Sequence, residues 1–403
     1  MFCPRLRTDP SLGRRILGVS FTAARCFEEG KRTVAYESTA EPIKLGYLFD
    51  FRLPEGFPDD AREDLTLPFE LVFKQGLETG LIDRPVQIVY REVEGLPKGT
   101  IKSVIDAYGE LVDEGCLVVF GPYITDNCVP TREAIQDRFR VPAISCTGTD
   151  DWLGEWTFAL PQGSMTDEPI FWTDLLMKAG HREVGVLIEQ SLVGDSYVRN
   201  FRKACTEKGI RIVAEEWIPQ TAQDIRPALR KLYEAKASAV VHCGFGFGIA
   251  LANQALKELD WNPPRYMGTA FQNAWLNQAL WDAIVGWTGL DQYDESNPVG
   301  QAFLDQYQQA CGRRPQYCVP VMNHDFATVL LHAFADAHPL TPRGVKEALE
   351  RVKMVPAAAG APGTRLSFGK WTRRGWMGAG YLVARQLEPE FGKSRLVGRF
   401  GNL

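Results

Sequence analysis

The sequence is poor in histidine, with five in 403 residues, and it contains no Cys-x-x-Cys pair. Zinc sites gather their ligands in closely spaced pairs. His181, His242, His324, His332 and His338 are too scattered for that, so no metal site is expected. No apolar run reaches the ~18 residues that a membrane-spanning helix needs. Charge of one sign is also lacking: 45 Lys+Arg against 50 Asp+Glu leave a net charge of −5. That balance carries no electrostatic footprint of a nucleic-acid partner. The Gly-x-Ser-x-Gly elbow of the α/β-hydrolases is absent. Gly392-Lys393-Ser394 looks like the end of a phosphate loop, but Leu387 stands where the loop's first glycine belongs. These absences leave no catalytic residue and no cofactor to assign.

What is present is the composition of a globular chain, 45% hydrophobic and 24% charged. A chain of this length buries enough surface to need no disulfide or metal staple. The nine cysteines are an odd number. Cys311 and Cys318 flank an Arg-Arg-Pro turn and are spaced to bridge, whereas most of the others read as buried free thiols. Residues 1–40 stand apart. Arg14-Arg15 precedes a short, moderately apolar stretch from Ile16 to Ala24, and Arg25 lies directly before Cys26, where a lipoprotein cleavage site requires a small residue. The segment reads as an atypical export signal, a disordered leader or a misassigned start.

From Ile43 the pattern is regular. Short apolar runs at Ile43–Phe49, Val86–Tyr90, Leu117–Phe120, Val141–Ser145, Val184–Ile188, Ile210–Glu215 and Ala237–Cys243 read as strands. Several are apolar on both faces, as parallel strands covered by helices are. Between them Ile101, Val104, Ile105, Tyr108, Leu111 and Val112 form one helical stripe, as do Ile225, Leu229, Leu232 and Tyr233. The alternation predicts an α/β protein with parallel sheets, divided into two similar lobes. One lobe is expected over 41–158 and 288–364, the other over 159–287 and 365–403.

Two strand ends carry the chemistry. Phe120-Gly-Pro-Tyr-Ile-Thr-Asp-Asn127 and Ile144-Ser-Cys-Thr-Gly-Thr-Asp150 both place hydroxyls and free N–H groups at the carboxyl ends of neighbouring parallel strands. Ligands bind there in open α/β sheets, and a helix N-terminus favours an anion. The alternative is that Thr125 and Thr149 only cap helices. Gly244-Phe-Gly246-Phe-Gly248 has a dinucleotide-loop flavour, but its spacing fits a plain strand-to-helix turn better.

In these residues and in their order the chain resembles the type I periplasmic-binding-protein family, in its leucine/isoleucine/valine branch. The matching pieces include Gly121-Pro122, Thr147-Gly148-Thr149, Val184–Gln190 before Gly194, Tyr266-Met267-Gly268, and Gly363–Phe368. The resemblance implies two α/β lobes joined by three crossovers and closing on a solute, with no enzymatic activity. It implies periplasmic or cell-surface placement and the permease subunits of an ABC importer as partners. Carried over, Thr125 is the hydroxyl contact after the third strand, and Thr147, Gly148 and Thr149 form the loop that holds a ligand carboxylate. By the same resemblance Phe245 falls near an aromatic contact from the second lobe, and Ala270, followed by Phe271, stands where such relatives place an acid for the ligand ammonium. An ammonium buried without a counter-charge is costly. Asp195 or Asp325 would have to replace it, or the ligand is no ordinary α-amino acid. Phe49, Trp152, Trp156, Phe245, Phe271 and Trp275 are expected around the cleft and favour an apolar or aromatic carboxylate. A cytoplasmic ligand sensor of the amide-sensing kind is the competing function; a repressor or an enzyme on the same sheets fits less well.

Overall fold

The computed structural model describes residues 41–52, 59–246 and 248–403, so the export-signal reading of 1–40 lies outside the described residues. Two sheets organise the chain. The first contains β1 (Ile43–Phe49), β2 (Val86–Glu92), β3 (Val118–Phe120), β4 (Ala143–Ser145) and β5 (Thr157–Ala159). All are parallel, in the order β2-β1-β3-β4-β5. The second repeats that order with β6 (Glu183–Glu189), β7 (Arg211–Ile218), β8 (Ala239–Cys243), β9 (Arg265–Met267) and β10 (Trp287–Asp291). A small ribbon, β11 (Val355–Pro356) and β12 (Arg365–Leu366), follows, and β13 (Val383–Leu387) and β14 (Ser394–Arg399) then extend the second sheet antiparallel.

Helices cover both sheets, which is why β6 reads Glu-Val-Gly-Val-Leu-Ile-Glu with its interior buried on both faces. On the first lobe lie α1 (Asp59–Glu78), α2 (Ile101–Asp113) and α3 (Thr125–Ala134); on the second, α4 (Asp167–Ala179), α5 (Leu192–Lys208), α6 (Arg226–Glu234), α7 (Ala252–Glu258) and α8 (Gln278–Ile284). The chain then returns to the first lobe as α9 (Pro298–Cys311), α10 (Cys318–Asp336) and α11 (Pro342–Leu349), with α10 packed along α1.

The chain thus passes between the sheets three times. Two expected borders shift. Residue 288 falls inside β10, the fifth parallel strand of the second sheet, so the return begins after Asp291. Residue 365 opens β12, and Arg374 still bridges Ala159 at the edge of the first sheet, so the last passage comes after it. Cys311 and Cys318 do not bridge: both are free thiols, and Cys318 turns inward at the start of α10.

One buried carboxylate sets the first lobe's helices relative to the second. Asp64 on α1 accepts the Tyr307 hydroxyl at 2.5 Å, the Tyr317 hydroxyl at 2.6 Å and Arg313 Nη2 at 3.0 Å. Tyr317 in turn stacks on Trp275 of the second lobe, ring centroids 5.0 Å apart and planes nearly parallel. Removing one member of such a network strands its buried partners. Asp64→Ala is expected to lower unfolding stability by about 3–5 kcal/mol, read from denaturant titration; a loss below ~1 kcal/mol would show that the tyrosines need no anchor.

Candidate functional site

The site is built where strand-end loops of both lobes meet. Thr125 opens α3 after the third strand, but its hydroxyl caps nothing: it pairs with Thr147 Oγ1 at 2.8 Å. Thr147 follows β4 and takes its own N–H to Ser145 Oγ at 3.1 Å. Thr149 does cap, accepting the Asp151 N–H at 3.2 Å, which leaves its O–H free to donate. Gly148 presses against the first crossover, where a Cβ would lie 2.7 Å from Gly163 O. From the edge of the first sheet, ahead of the last crossover, Arg374 donates to Gly148 O at 3.4 Å and to Ser164 Oγ at 2.8 Å, and pairs with Asp150 at 2.6 Å. A guanidinium therefore lies beneath the threonine loop.

The lobes touch directly here. Asp126, the residue after Thr125, accepts the N–H of Leu192 at the start of α5 at 3.1 Å, while its Oδ2 is buried with no partner among the described residues. On the first lobe's side, Phe49 and Tyr123 stack 5.8 Å apart and Phe51 meets both edge-on. Tyr47 and Tyr123 share a hydroxyl contact of 2.5 Å behind them.

The second-lobe residues separate into two groups. Phe245 is half-buried at the end of β8, and the next residue, Gly246, would meet Ala270 Cβ at 2.9 Å if it carried a side chain. Phe245 and Ala270 therefore share a corner. Phe271 does not line the cleft: it is fully buried, and its ring lies on Gly289 in the second lobe's core. Trp152 is likewise core, donating to Phe158 O at 2.8 Å, and Trp156 packs on the same cluster with Lys346 over its ring. Asp325 is structural, accepting Ala358 and Ala359 N–H groups at 2.7 and 3.0 Å, and Asp195 is exposed on α5.

What the sequence reading missed is a set of buried carboxylates at strand and helix ends. Asp50 after β1 accepts the N–H groups of Tyr123 and Ile124 and the amide of Asn127; burial pushes its pKa up to about 6. Glu189 at the end of β6 does the same for Phe245, Gly246 and Gly248, with His242 at 3.2 Å. Despite the cost of burial, those partners hold its pKa below the usual value. Glu189 thus fills the Gly-x-Gly-x-Gly turn, where a dinucleotide would put phosphate, and the turn is structural. Glu168 near the start of α4 accepts Thr269 N–H at 3.1 Å and the Tyr197 hydroxyl, and burial lifts its pKa to about 8. Each is an acid ending an apolar run or opening a helix, a position that in sequence reads as surface.

Among the described residues, no three His, Cys, Asp or Glu side chains come together as a metal site, and no helix is long and apolar enough to cross a membrane.

This geometry defines a two-lobe α/β fold whose strand-end loops meet across the lobes. The periplasmic binding protein family model matches residues 42–379, and the chain belongs to that family. Its members are solute-binding proteins. Solved structures share the fold at low identity. A possible leucine/isoleucine/valine-binding protein from Rhodopirellula baltica superposes with a TM-score of 0.75 at 15% identity, over 90% of this chain and 98% of that one. A type 1 periplasmic binding protein from Bordetella pertussis gives 0.73 at 18%, over 89% and 100%. An ABC transporter substrate-binding protein from Desulfitobacterium hafniense, in complex with Leu, gives 0.70 at 16%, over 89% and 100%. None of the curated proteins matches the chain in sequence.

Glu168 has a measurable consequence. Its folded pKa of about 8 lies above its unfolded value of 4.5, so the folded state binds the extra proton between them. Its contribution is therefore fully present below pH ~4.5 and is lost as pH rises through about 8. Asp50, raised to about 6, adds the same sign at lower pH. The melting temperature of the wild type is expected to fall from neutral pH to above 8, and Glu168→Gln to flatten that part of the profile. Identical profiles would place the proton elsewhere.

Proposed function

We propose that this protein is the solute-binding component of an ATP-driven importer, acting outside the cytoplasm. The ligand is a small apolar or aromatic carboxylate, or an amino-acid-like molecule, held between the lobes and passed to permease subunits. The carboxylate meets the hydroxyls and N–H groups of Thr125, Thr147, Gly148 and Thr149, with Arg374 contributing positive charge from below. Phe49, Phe51, Tyr123 and Phe245 offer apolar surface to its body. The observation that carries this reading is the meeting of the strand-end loops across the lobes, Asp126 beside Thr125 accepting the Leu192 N–H at 3.1 Å. Family membership and neighbours that include ABC transporter substrate-binding proteins support the importer role.

Position 270 is alanine, and neither Asp195 nor Asp325 stands in for an acid there. Leucine, valine and phenylalanine are therefore expected to bind more weakly than their deaminated acids in calorimetry. Micromolar amino-acid binding with no binding of the acids would show that a cationic anchor operates.

A thermal-shift screen of amides, amino acids, short fatty acids and aromatic acids finds the ligand class. At 100 times its dissociation constant a ligand stabilises by about 2.7 kcal/mol. With the best acid in hand, Thr147→Val is expected to weaken binding by about 1.5–3 kcal/mol, the range for hydrogen bonds to charged groups, or ~10–100-fold. Unchanged affinity in a folded variant would make the Thr125–Thr147 pair purely structural.

A further inference from the structure

Behind the threonine loop lies a second polar group that the carboxylate reading does not use. Asp291 ends β10 and Gln292 begins the second crossover, and both are fully buried. Asp291 Oδ1 accepts the N–H groups of Gln292 and Tyr293 at 2.6 and 2.8 Å. Its Oδ2, both side-chain atoms of Gln292, and Trp275 Nε1 are buried with no partner among the described residues. Native interiors rarely leave such atoms unpaired, because each forfeits its hydrogen bonds to water.

Their surroundings connect to the cleft. Gln162 of the first crossover donates its N–H to Cys146 O at 2.8 Å, one residue before Thr147. Its side chain reaches Gln272, and lies 3.3 Å from Cys318 Sγ at the start of α10. Phe271, in the same turn as Gln272 and Trp275, lies against Gly289, two residues before Asp291. Trp275 packs on Tyr317, next to Cys318. Both lobes and two crossovers converge here.

We propose that this cluster is an inner subsite that reads a neutral amide-type group at the end of the ligand far from its carboxylate. The inference rests on the carboxylate site proposed above. The choice follows from the unpaired atoms: two acceptors, Asp291 Oδ2 and Gln292 Oε1, and two donors, Trp275 Nε1 and Gln292 Nε2. A primary amide supplies both N–H donors and a carbonyl acceptor. An ammonium would serve the acceptors and leave both donors unpaired; a methyl end would serve none. Charge gives no added reason for a cation, since Arg385, paired with Glu295 at 2.6 Å, already acts on Asp291.

Calorimetry on the full chain tests this with matched probes: pentanoate against glutaric acid monoamide, hexanoate against adipic acid monoamide, and benzoate against 4-carbamoylbenzoate. At least one monoamide is expected to bind about tenfold or more tightly than its partner. Gln292→Met, similar in shape, should erase that preference while leaving the simple acid's affinity unchanged. Trp275→Phe, which keeps the stacking on Tyr317, should reduce the preference, and melting curves report whether each variant folds. Acids and monoamides binding alike would overturn the inner subsite and leave the carboxylate site standing. Preference for 5-aminopentanoate over the monoamide, lost in Asp291→Asn, would overturn it in favour of a charge reader. If no carboxylate binds, the carboxylate site fails, and the inner subsite with it.

Discussion

The strand-end loops depend on a constraint that parallel sheets impose. Each strand ends in a loop whose N–H groups point outward with no ladder partner, and a buried N–H needs an acceptor. In both lobes the acceptor is a carboxylate at the end of the sheet's first strand. Asp50 reaches from β1 to the loop after β3, and Glu189 reaches from β6 to the loop after β8. These are equivalent positions, since the two sheets share one strand order. They are also the points where that order reverses, where doubly wound folds usually take a ligand. With a protein carboxylate already there, the proposed ligand position lies beside them, toward β4 and the crossovers.

That displacement accounts for the composition of the proposed site. Thr125 follows β3 and Thr147 follows β4, on the β4 side of the reversal, and the first crossover packs through Gly163 against Gly148, next to Thr147. A side chain on Gly163 would come within 2.1 Å of Thr269 Oγ1, so the second lobe's β9 loop presses on the other side of the same glycine. Glycine at 148 and 163 allows three backbones to approach where a Cβ would collide. The first crossover, the Thr147–Thr149 loop and the β9 loop are thus one packed unit.

Much of this architecture was legible in the sequence, because parallel strands and amphipathic helices leave opposite periodicities. Ile43–Phe49 and the Ile101 stripe are plain for that reason. The lobe borders were not, because Trp287–Asp291 carries threonine, glycine and aspartate in five residues and lacks the apolar run of its neighbours. The juxtaposition of Thr125 and Thr147 was legible because hydroxyls cluster at two adjacent strand ends. Trp152, Trp156 and Phe271 share the spacing expected of cleft residues but pack in the cores, because alternation along a strand or turn cannot say which face is core. The carboxylates escaped for a different reason. A charged residue ending an apolar run marks the surface in most sequences, and only the loop folded over Asp50 or Glu189 turns that end into an interior.

The same packing explains why position 270 carries no acid. Ala270 is 8% exposed, and its methyl lies where a side chain on Gly246 would come within 2.9 Å. Gly246 is held there because its N–H donates to Glu189 at 2.9 Å. An acid at 270 would need room that this approach removes, and it would put a second buried carboxylate close to the first. Like charges in a desolvated corner oppose ionisation of both. The second lobe has therefore committed its negative charge in this corner to holding its own backbone. In the proposed binding mode, selectivity for the rest of the ligand falls to groups whose hydrogen bonds the fold leaves unspent, such as those at the end of β10.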